Sequence, residues 1–141
     1  MAQQPLSPRE PEAPAIHGTI LAESLRPGSD FEGHGMRILR WSRYEVRDTA
    51  DYQPPVWTAI EFEAPAASSD GLASDLAKSL LLPSWYANWN SDTEATVVFP
   101  GRVFQYPRGD KTGREAAQEY GRECGVPEHQ LDWTDGPATP V

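Results

Sequence analysis

An aromatic and amide cluster carries the clearest indication of binding chemistry in this sequence. In the segment PSWYANWNSD, Trp85, Tyr86 and Trp89 stand beside Asn88 and Asn90. A flat apolar ring combined with directional amide groups is suited to orienting a sugar, a peptide or a nucleobase. The spacing of four residues between Trp85 and Trp89 predicts that they share one helical face. The alternative interpretation is that the tryptophans close the core over the end of a helix.

A second candidate is the basic segment Met36–Arg47, MRILRWSRYEVR, which holds four of the twelve Lys and Arg residues. Because it is rich in Ile, Trp, Tyr and Val, we predict a strand. Strict alternation then places Arg37, Trp41 and Arg43 on one side, whereas Arg40 falls among the apolar side chains. Arg37, Trp41 and Arg43 are therefore candidate residues for binding a ligand or a partner.

These arginines also have a purely structural explanation. The next predicted strand, VWTAIEFEA, places Glu61 and Glu63 on one side. If the two strands pair, opposite charges across them stabilise the sheet by roughly 0.2–1 kcal/mol per pair. The sequence does not decide whether the strand at 36–47 is central or at an edge. An exposed edge would allow it to pair with another chain.

Catalytic and metal signatures are absent from the sequence. The three histidines form no H-x-x-x-H or H-E-x-x-H pattern, and Cys124 is the only cysteine. Cys124 falls on the apolar side of a predicted helix end, which indicates a buried structural thiol. Glu128, His129 and Asp132 share one predicted turn and are interpreted as surface polar residues. We therefore predict no catalytic residue, no metal and no cofactor.

The order of predicted elements defines the fold class. Three strands, a helix, a hairpin of two strands and a last helix give the order β-β-β-α-β-β-α. This order predicts an α+β fold with a mostly antiparallel sheet of about five strands and two helices packed on one face. A single domain is expected over residues 15–133. It is flanked by a disordered proline-rich tail at 1–14, where prolines recur every third residue, and a disordered tail at 134–141.

Composition limits the classes of function. The formal net charge is −9, and outside Met36–Arg47 it is −12, which disfavours nucleic-acid binding. No apolar stretch approaches the ~20 residues of a membrane span, and no signal peptide is recognised, so we expect a cytoplasmic protein without membrane association. Ten Arg against two Lys is a composition associated with GC-rich, bacterial genomes.

Three functional hypotheses follow. The first, which we prefer, is that the protein is a non-catalytic binding or interaction module with a protein partner, and an enzyme is the less favoured class. Alternatively, it is an acidic, immunity- or antitoxin-like protein that binds a basic partner through Glu61, Glu63, Glu115 and Glu119. The third hypothesis is a small acid–base enzyme, which requires a histidine in contact with a carboxylate in a pocket. The sequence makes no prediction about the oligomeric state.

Overall fold

The computed structural model of the chain describes residues 13–135. In this part six strands form one antiparallel sheet, and two α-helices pack on it. The predicted α+β class is confirmed, with six strands where about five were expected. The strands are β1 (Ala15–Leu21), β2 (Arg37–Glu45), β3 (Val56–Pro65), β4 (Ala87–Asn90), β5 (Glu94–Phe99) and β6 (Arg102–Pro107), and the helices are α1 (Ser69–Ser79) and α2 (Lys111–Glu123).

The spatial order of the strands is β2-β3-β1-β4-β5-β6. Strand β1 lies in the interior of the sheet, with β3 on one side and β4 on the other. The hairpin predicted around Pro100-Gly101 is present as β5 and β6. Gly101 adopts a positive φ of 80° at this turn, a conformation that glycine reaches without steric cost.

Strand β4 is the element that the sequence pattern did not predict. The expectation that Trp85 and Trp89 share a helical face is wrong, because residues 87–90 are extended and pair with β1 and β5. Trp89 lies directly opposite Gly18 of β1, and its ring packs edge-on against Phe62 with centroids 6.1 Å apart. The missing side chain at Gly18 leaves the space that Trp89 occupies.

The two helices lie on opposite faces of the sheet, whereas we expected both on one face. Leu76 of α1 packs in one core cluster with Val98, and Ala117 of α2 packs in another with Val97. Val97 and Val98 are neighbours in β5, and both are fully buried. A strand whose successive residues are all apolar requires cover on both sides. We name these sides the α1 face and the α2 face.

Local signals set the ends of the helices. Helix α2 begins after Asp110 and is followed by Gly125 at a φ of +85°, the left-handed conformation common just beyond helix ends. Helix α1 has 11 residues and α2 has 13. No helix in residues 13–135 is long and apolar enough to cross a membrane.

The predicted tails, 1–14 and 134–141, lie for the most part outside the described residues. Where the C-terminal segment is described, it contacts the domain. The Thr134 carbonyl accepts a hydrogen bond from Asn90, 3.1 Å away, and the Asp135 carboxylate accepts one from the Tyr106 hydroxyl, 2.8 Å away. Contacts with the body of the fold therefore continue to Asp135.

The α2 face is covered unevenly, and this positions the candidate site. Helix α2 packs against β6, and its core cluster draws on β5, β6 and the segment 126–133. On the other half of this face His17 of β1 and Glu61 of β3 are exposed. The sheet thus has an open half formed by β1, β3 and β2.

Candidate functional site

Strand β2 forms one edge of the sheet and is exposed along its length. It pairs with β3 on one side, and no strand within residues 13–135 pairs with its other side. Its large apolar side chains Ile38, Leu39, Trp41 and Tyr44 are between 43% and 62% exposed, Trp41 being the most exposed. The position of this strand, which the sequence left open, is therefore at an edge.

A β-bulge in β2 changes the predicted distribution of its side chains. The register with β3 shifts between Ile38 and Arg40. Because opposed residues of an antiparallel pair share a face, Arg37 lies on the α2 face, and Trp41 and Arg43 lie on the α1 face. The expectation that Arg37, Trp41 and Arg43 share one side is therefore wrong, and the bulge at Leu39 is the reason.

The predicted pairing of these arginines with the protein's own glutamates is present in part. Arg37 donates to the carboxylate of Glu63, its cross-strand neighbour. Arg43 approaches a different carboxylate, that of Glu23, at 3.6 Å. Arg40 lies opposite Glu61 in the register but forms no ion pair with any residue from 13 to 135. Two of the three arginines in β2 thus have internal carboxylate partners.

The cluster at Trp85–Asn90 is divided between the core and the surface. Trp89 is 1% exposed, and its indole N–H donates to the Ser69 hydroxyl at 2.8 Å, so its side chain is out of reach of a surface ligand. Asn90 is engaged by Thr134, as described above. Trp85, which is also buried at 5% exposure, lines a cleft together with Tyr86 and Asn88. Both tryptophans are therefore buried, and the binding role of this cluster stays a prediction.

This cleft, which we name the Trp85 cleft, has a volume of about 330 Å³ and lies on the α2 face between the open half of the sheet and residues 129–132. Its floor is aromatic: Trp57 of β3 packs against Trp85 with ring centroids 5.1 Å apart. Tyr44 of β2 and Tyr86 add two further rings. Burial, together with the nearby charge of Asp132, raises the pKa of Tyr86, so its hydroxyl is neutral and donates to the Gln130 carbonyl.

A pair of amide side chains adjoins the cleft: Gln53 is buried, and Gln130, which lines the cleft, is partly buried. The side chains of Gln53 and Gln130 exchange two hydrogen bonds of 2.9 Å, and Gln53 also donates to the Ser84 hydroxyl. Gln53 and Ser84 are both buried, so these bonds satisfy polar groups that water does not reach. The network joins the loop before β3 to the segments before β4 and after α2.

Polar groups on the walls of the cleft have unused hydrogen-bonding capacity. Thr19 of β1 and Asn88 of β4 are opposed in the register, and neither side chain bonds to any described residue. The indole N–H of Trp85 is likewise without a bond to residues 13–135. Because every fully buried side-chain N or O atom described has a partner, this N–H is not fully buried, and Trp85 lines the cleft.

Three ionisable side chains complete the rim: Arg47, His129 and Asp132. The Nε2 atom of His129 lies 2.9 Å from the carbonyl oxygen of Asp48. Because a carbonyl only accepts, Nε2 carries the hydrogen of this bond, and Nδ1 of the neutral ring is left as an acceptor. Neither Arg47 nor Asp132 forms an ion pair within the described part of the chain.

Sequence reasoning missed most of this rim because its members are far apart in the chain. The sequence marks Arg47 only as part of the basic segment, and His129 and Asp132 only as surface polar residues of one turn. Tyr44 and Trp57 carry no local signal for a site, because aromatic residues in strands most often belong to the core. The fold brings these residues to Trp85 through the pairing of β2 with β3 and the return of the chain after α2.

The other titratable candidates lie outside this cleft. His34 contacts Asp75 at 2.5 Å, but neither residue lines the cleft. Burial raises the pKa of the Cys124 thiol, which keeps it in the protonated, unreactive form. No group of three metal-ligating side chains occurs among residues 13–135.

The four glutamates of the basic-partner hypothesis occupy two elements. Glu61 and Glu63 belong to β3, and Glu115 and Glu119 belong to α2. Glu63 is held by Arg37, whereas the other three are exposed. That hypothesis stays a prediction.

No family model matches this chain, and neither a curated protein nor a solved structure matches it. The two candidate surfaces of the protein are strand β2 and the Trp85 cleft.

Proposed function

We propose that this protein is a non-catalytic interaction module that binds another protein through strand β2. The observation that carries the proposal is the concentration of exposed apolar side chains on this one edge strand. Of the seven large hydrophobic side chains exposed in the described residues, four belong to β2. An edge strand with exposed apolar side chains is a surface to which an extended segment of another chain can be added.

The residue types in β2 are those of a binding surface rather than of a strand that is merely exposed to solvent. Five of its nine residues are Trp, Tyr or Arg, the three types most enriched among the residues that dominate binding energy. Trp41, at 62% exposure, is the largest of these side chains and buries the most area when covered. We therefore take Trp41 as the central contact.

The charge of β2 indicates the chemistry of the partner. The strand carries three Arg and one Glu, so two copies of β2 repel each other when brought together. Arg40, which forms no ion pair with a described residue, favours an acidic group on the partner. The partner in this proposal is a protein segment that presents a carboxylate to Arg40 and apolar side chains to Trp41.

The experiment is capture of partners from lysate of the source organism, at low and high salt, with three forms of this protein. Wild type is compared with Trp41→Ala, and with Val103→Ala as the matched control. Val103 is an exposed apolar residue, 39% accessible, on β6 at the opposite edge of the sheet. We expect one stoichiometric partner that is retained by Val103→Ala, lost with Trp41→Ala and weakened as salt rises.

Two results contradict the proposal. One is a partner that Trp41→Ala captures as efficiently as wild type, which places the interface elsewhere. The other is no stoichiometric partner for any of the three proteins at either salt concentration.

A further inference from the structure

We propose that the Trp85 cleft binds a free α-amino acid with an apolar side chain, in its zwitterionic form. This site shares Tyr44 with the partner surface on β2, but the proposal does not depend on that surface. Three features of the cleft point to this ligand: its size, the polar groups that have no partner inside it and the signs of the charges on its rim.

The size of the cleft limits the ligand to a small molecule. Its volume of about 330 Å³ is at the lower end of the ~300–1,000 Å³ range of ligand sites. The packed indoles of Trp57 and Trp85 offer an apolar floor that suits one aliphatic or aromatic side chain.

The charges on the rim select a zwitterion. Arg47 and Asp132 line the same cleft, and neither forms an ion pair with the other or with any described residue. A carboxylate on the ligand suits the guanidinium of Arg47, because this planar group donates two parallel hydrogen bonds. An ammonium group suits the Asp132 carboxylate and the acceptor Nδ1 of His129. An anionic ligand pairs only with Arg47, and a cationic ligand only with Asp132 and His129.

The remaining unpartnered groups fit the same ligand. The indole N–H of Trp85 and the amide of Asn88 donate, and the Asn88 oxygen and the Thr19 hydroxyl accept. A ligand carboxylate accepts bonds from the donors, and a ligand ammonium donates to the acceptors. Each free polar group around the aromatic floor therefore has a counterpart on an amino acid backbone that is not in a peptide.

Two matched derivatives test each charge of the ligand separately. Wild-type protein is titrated by calorimetry with L-leucine and L-phenylalanine, then with N-acetyl-L-leucine, which lacks the ammonium charge, and L-leucinamide, which lacks the carboxylate. Tryptophan fluorescence provides a second readout, because Trp57 and Trp85 form the floor. We expect the free amino acids to bind and each derivative to bind at least tenfold more weakly.

Variants at the rim connect each ligand charge to one residue. Arg47→Gln is expected to weaken the binding of L-leucine at least tenfold. This variant should then bind L-leucine and L-leucinamide with equal affinity. Asp132→Asn should bind L-leucine and N-acetyl-L-leucine with equal affinity. Lys78→Gln and Asp92→Asn change the same charges at exposed positions outside the cleft and are expected to bind like wild type.

Three outcomes overturn the proposal. The first is that neither free amino acid binds to wild-type protein. The second is that the derivatives bind as tightly as L-leucine, which shows that the site does not recognise the two charges of the ligand. The third is wild-type affinity in both Arg47→Gln and Asp132→Asn, which places binding outside the cleft. Partner capture is tested with Trp41→Ala and amino acid binding with Arg47→Gln and Asp132→Asn, so failure of one proposal is distinguishable from failure of the other.

Discussion

The carboxylate of Glu23 accepts hydrogen bonds from both the backbone N–H and the hydroxyl of Thr58, over 2.6 and 2.9 Å. Arg43 of β2 donates to the same hydroxyl over 2.7 Å. One carboxylate that follows β1 therefore joins β3 and the exposed edge strand. Burial alone raises the pKa of Glu23, but the bonds from Thr58 and the charge of Arg43 outweigh it and hold the pKa below its ordinary value.

Glu23→Gln is expected to lower the free energy of unfolding by about 1–3 kcal/mol at pH 7, the usual range for a hydrogen-bonded charged group. Because the pKa of Glu23 is lowered in the folded state, its contribution is present above ~pH 4.3, the ordinary value for Glu. It is lost as the pH falls through the lower folded-state pKa. The difference between wild type and Glu23→Gln in urea unfolding should therefore shrink as the pH falls below ~4.

The exposed residue Glu32 provides the control for this comparison. Glu32→Gln is expected to change stability by less than about 0.5 kcal/mol at every pH. A difference in the free energy of unfolding between wild type and Glu23→Gln that stays constant from neutral to acid pH would contradict the role assigned to the ionised carboxylate.

The strands and helices with regular patterns were predictable because their signals are local. Alternation in β3, with Phe62 on one side and Glu61 and Glu63 on the other, indicated both a strand and its pairing with the basic segment. The bulge in β2 was not predictable, since Ile38 and Leu39 are both apolar and either residue suits either face. One extra residue moves the following side chains to opposite faces, which is why Arg37 and Trp41 were wrongly grouped.

The candidate cleft was less predictable than the fold. Trp85, Tyr86 and Asn88 stand close together in the sequence and line the cleft, whereas their neighbour Trp89 has the same chemistry and does not line it. Exposure does not separate the two tryptophans, since Trp85 is 5% and Trp89 1% exposed. What separates them is the pairing of β4 with β1, a contact between segments about seventy residues apart. No local pattern encodes such a pairing, so the members of the cluster that line the cleft could not be distinguished from Trp89, which does not.

Truncation of Trp89 should lower the free energy of unfolding, whereas truncation of Trp41 should leave it almost unchanged. Trp89 is 1% exposed and Trp41 is 62% exposed. Trp89→Ala is expected to destabilise the protein by about 3–5 kcal/mol, because it removes a buried ring and leaves a cavity. Trp41→Ala should change the free energy of unfolding by less than about 0.5 kcal/mol. Urea unfolding of both variants provides the measurement, and equal losses would be inconsistent with the assignment of Trp41 to the surface.

Gly18 should not tolerate a side chain. A Cβ atom at this position would lie 2.4 Å from the Asn88 carbonyl oxygen and 2.5 Å from the Trp89 Cβ. Gly18→Ala is therefore expected to cost about 1–3 kcal/mol or more, because backbone atoms of β4 must move. Gly33→Ala is the matched control, since nothing lies within 4 Å of its Cβ position. Thermal unfolding should show a lower midpoint for the first variant alone, and an unchanged midpoint for Gly18→Ala would contradict the close approach of β1 and β4.

Cys124 should react slowly with alkylating reagents in the native protein. Burial raises the pKa of its thiol, the Tyr120 hydroxyl partly opposes this, and the nearby charge of Glu123 adds to it. Because only the thiolate attacks iodoacetamide, the native rate should rise with a midpoint above ~8.5, the value for a free thiol. In urea the midpoint should return to that value. Cys124 is the only cysteine, so the rate is assigned without ambiguity.

The same pKa shift predicts how stability depends on pH at the alkaline end. A group whose pKa is raised by folding contributes stability below its unfolded-state pKa, and this contribution is lost as the pH rises through the folded-state value. Wild type should therefore lose stability between pH 8 and 10 relative to Cys124→Ala, which has no thiol to ionise. Parallel stability curves for the two proteins over this range, together with a native alkylation midpoint at or below that of the unfolded chain, would show that the thiol is not held in the protonated form.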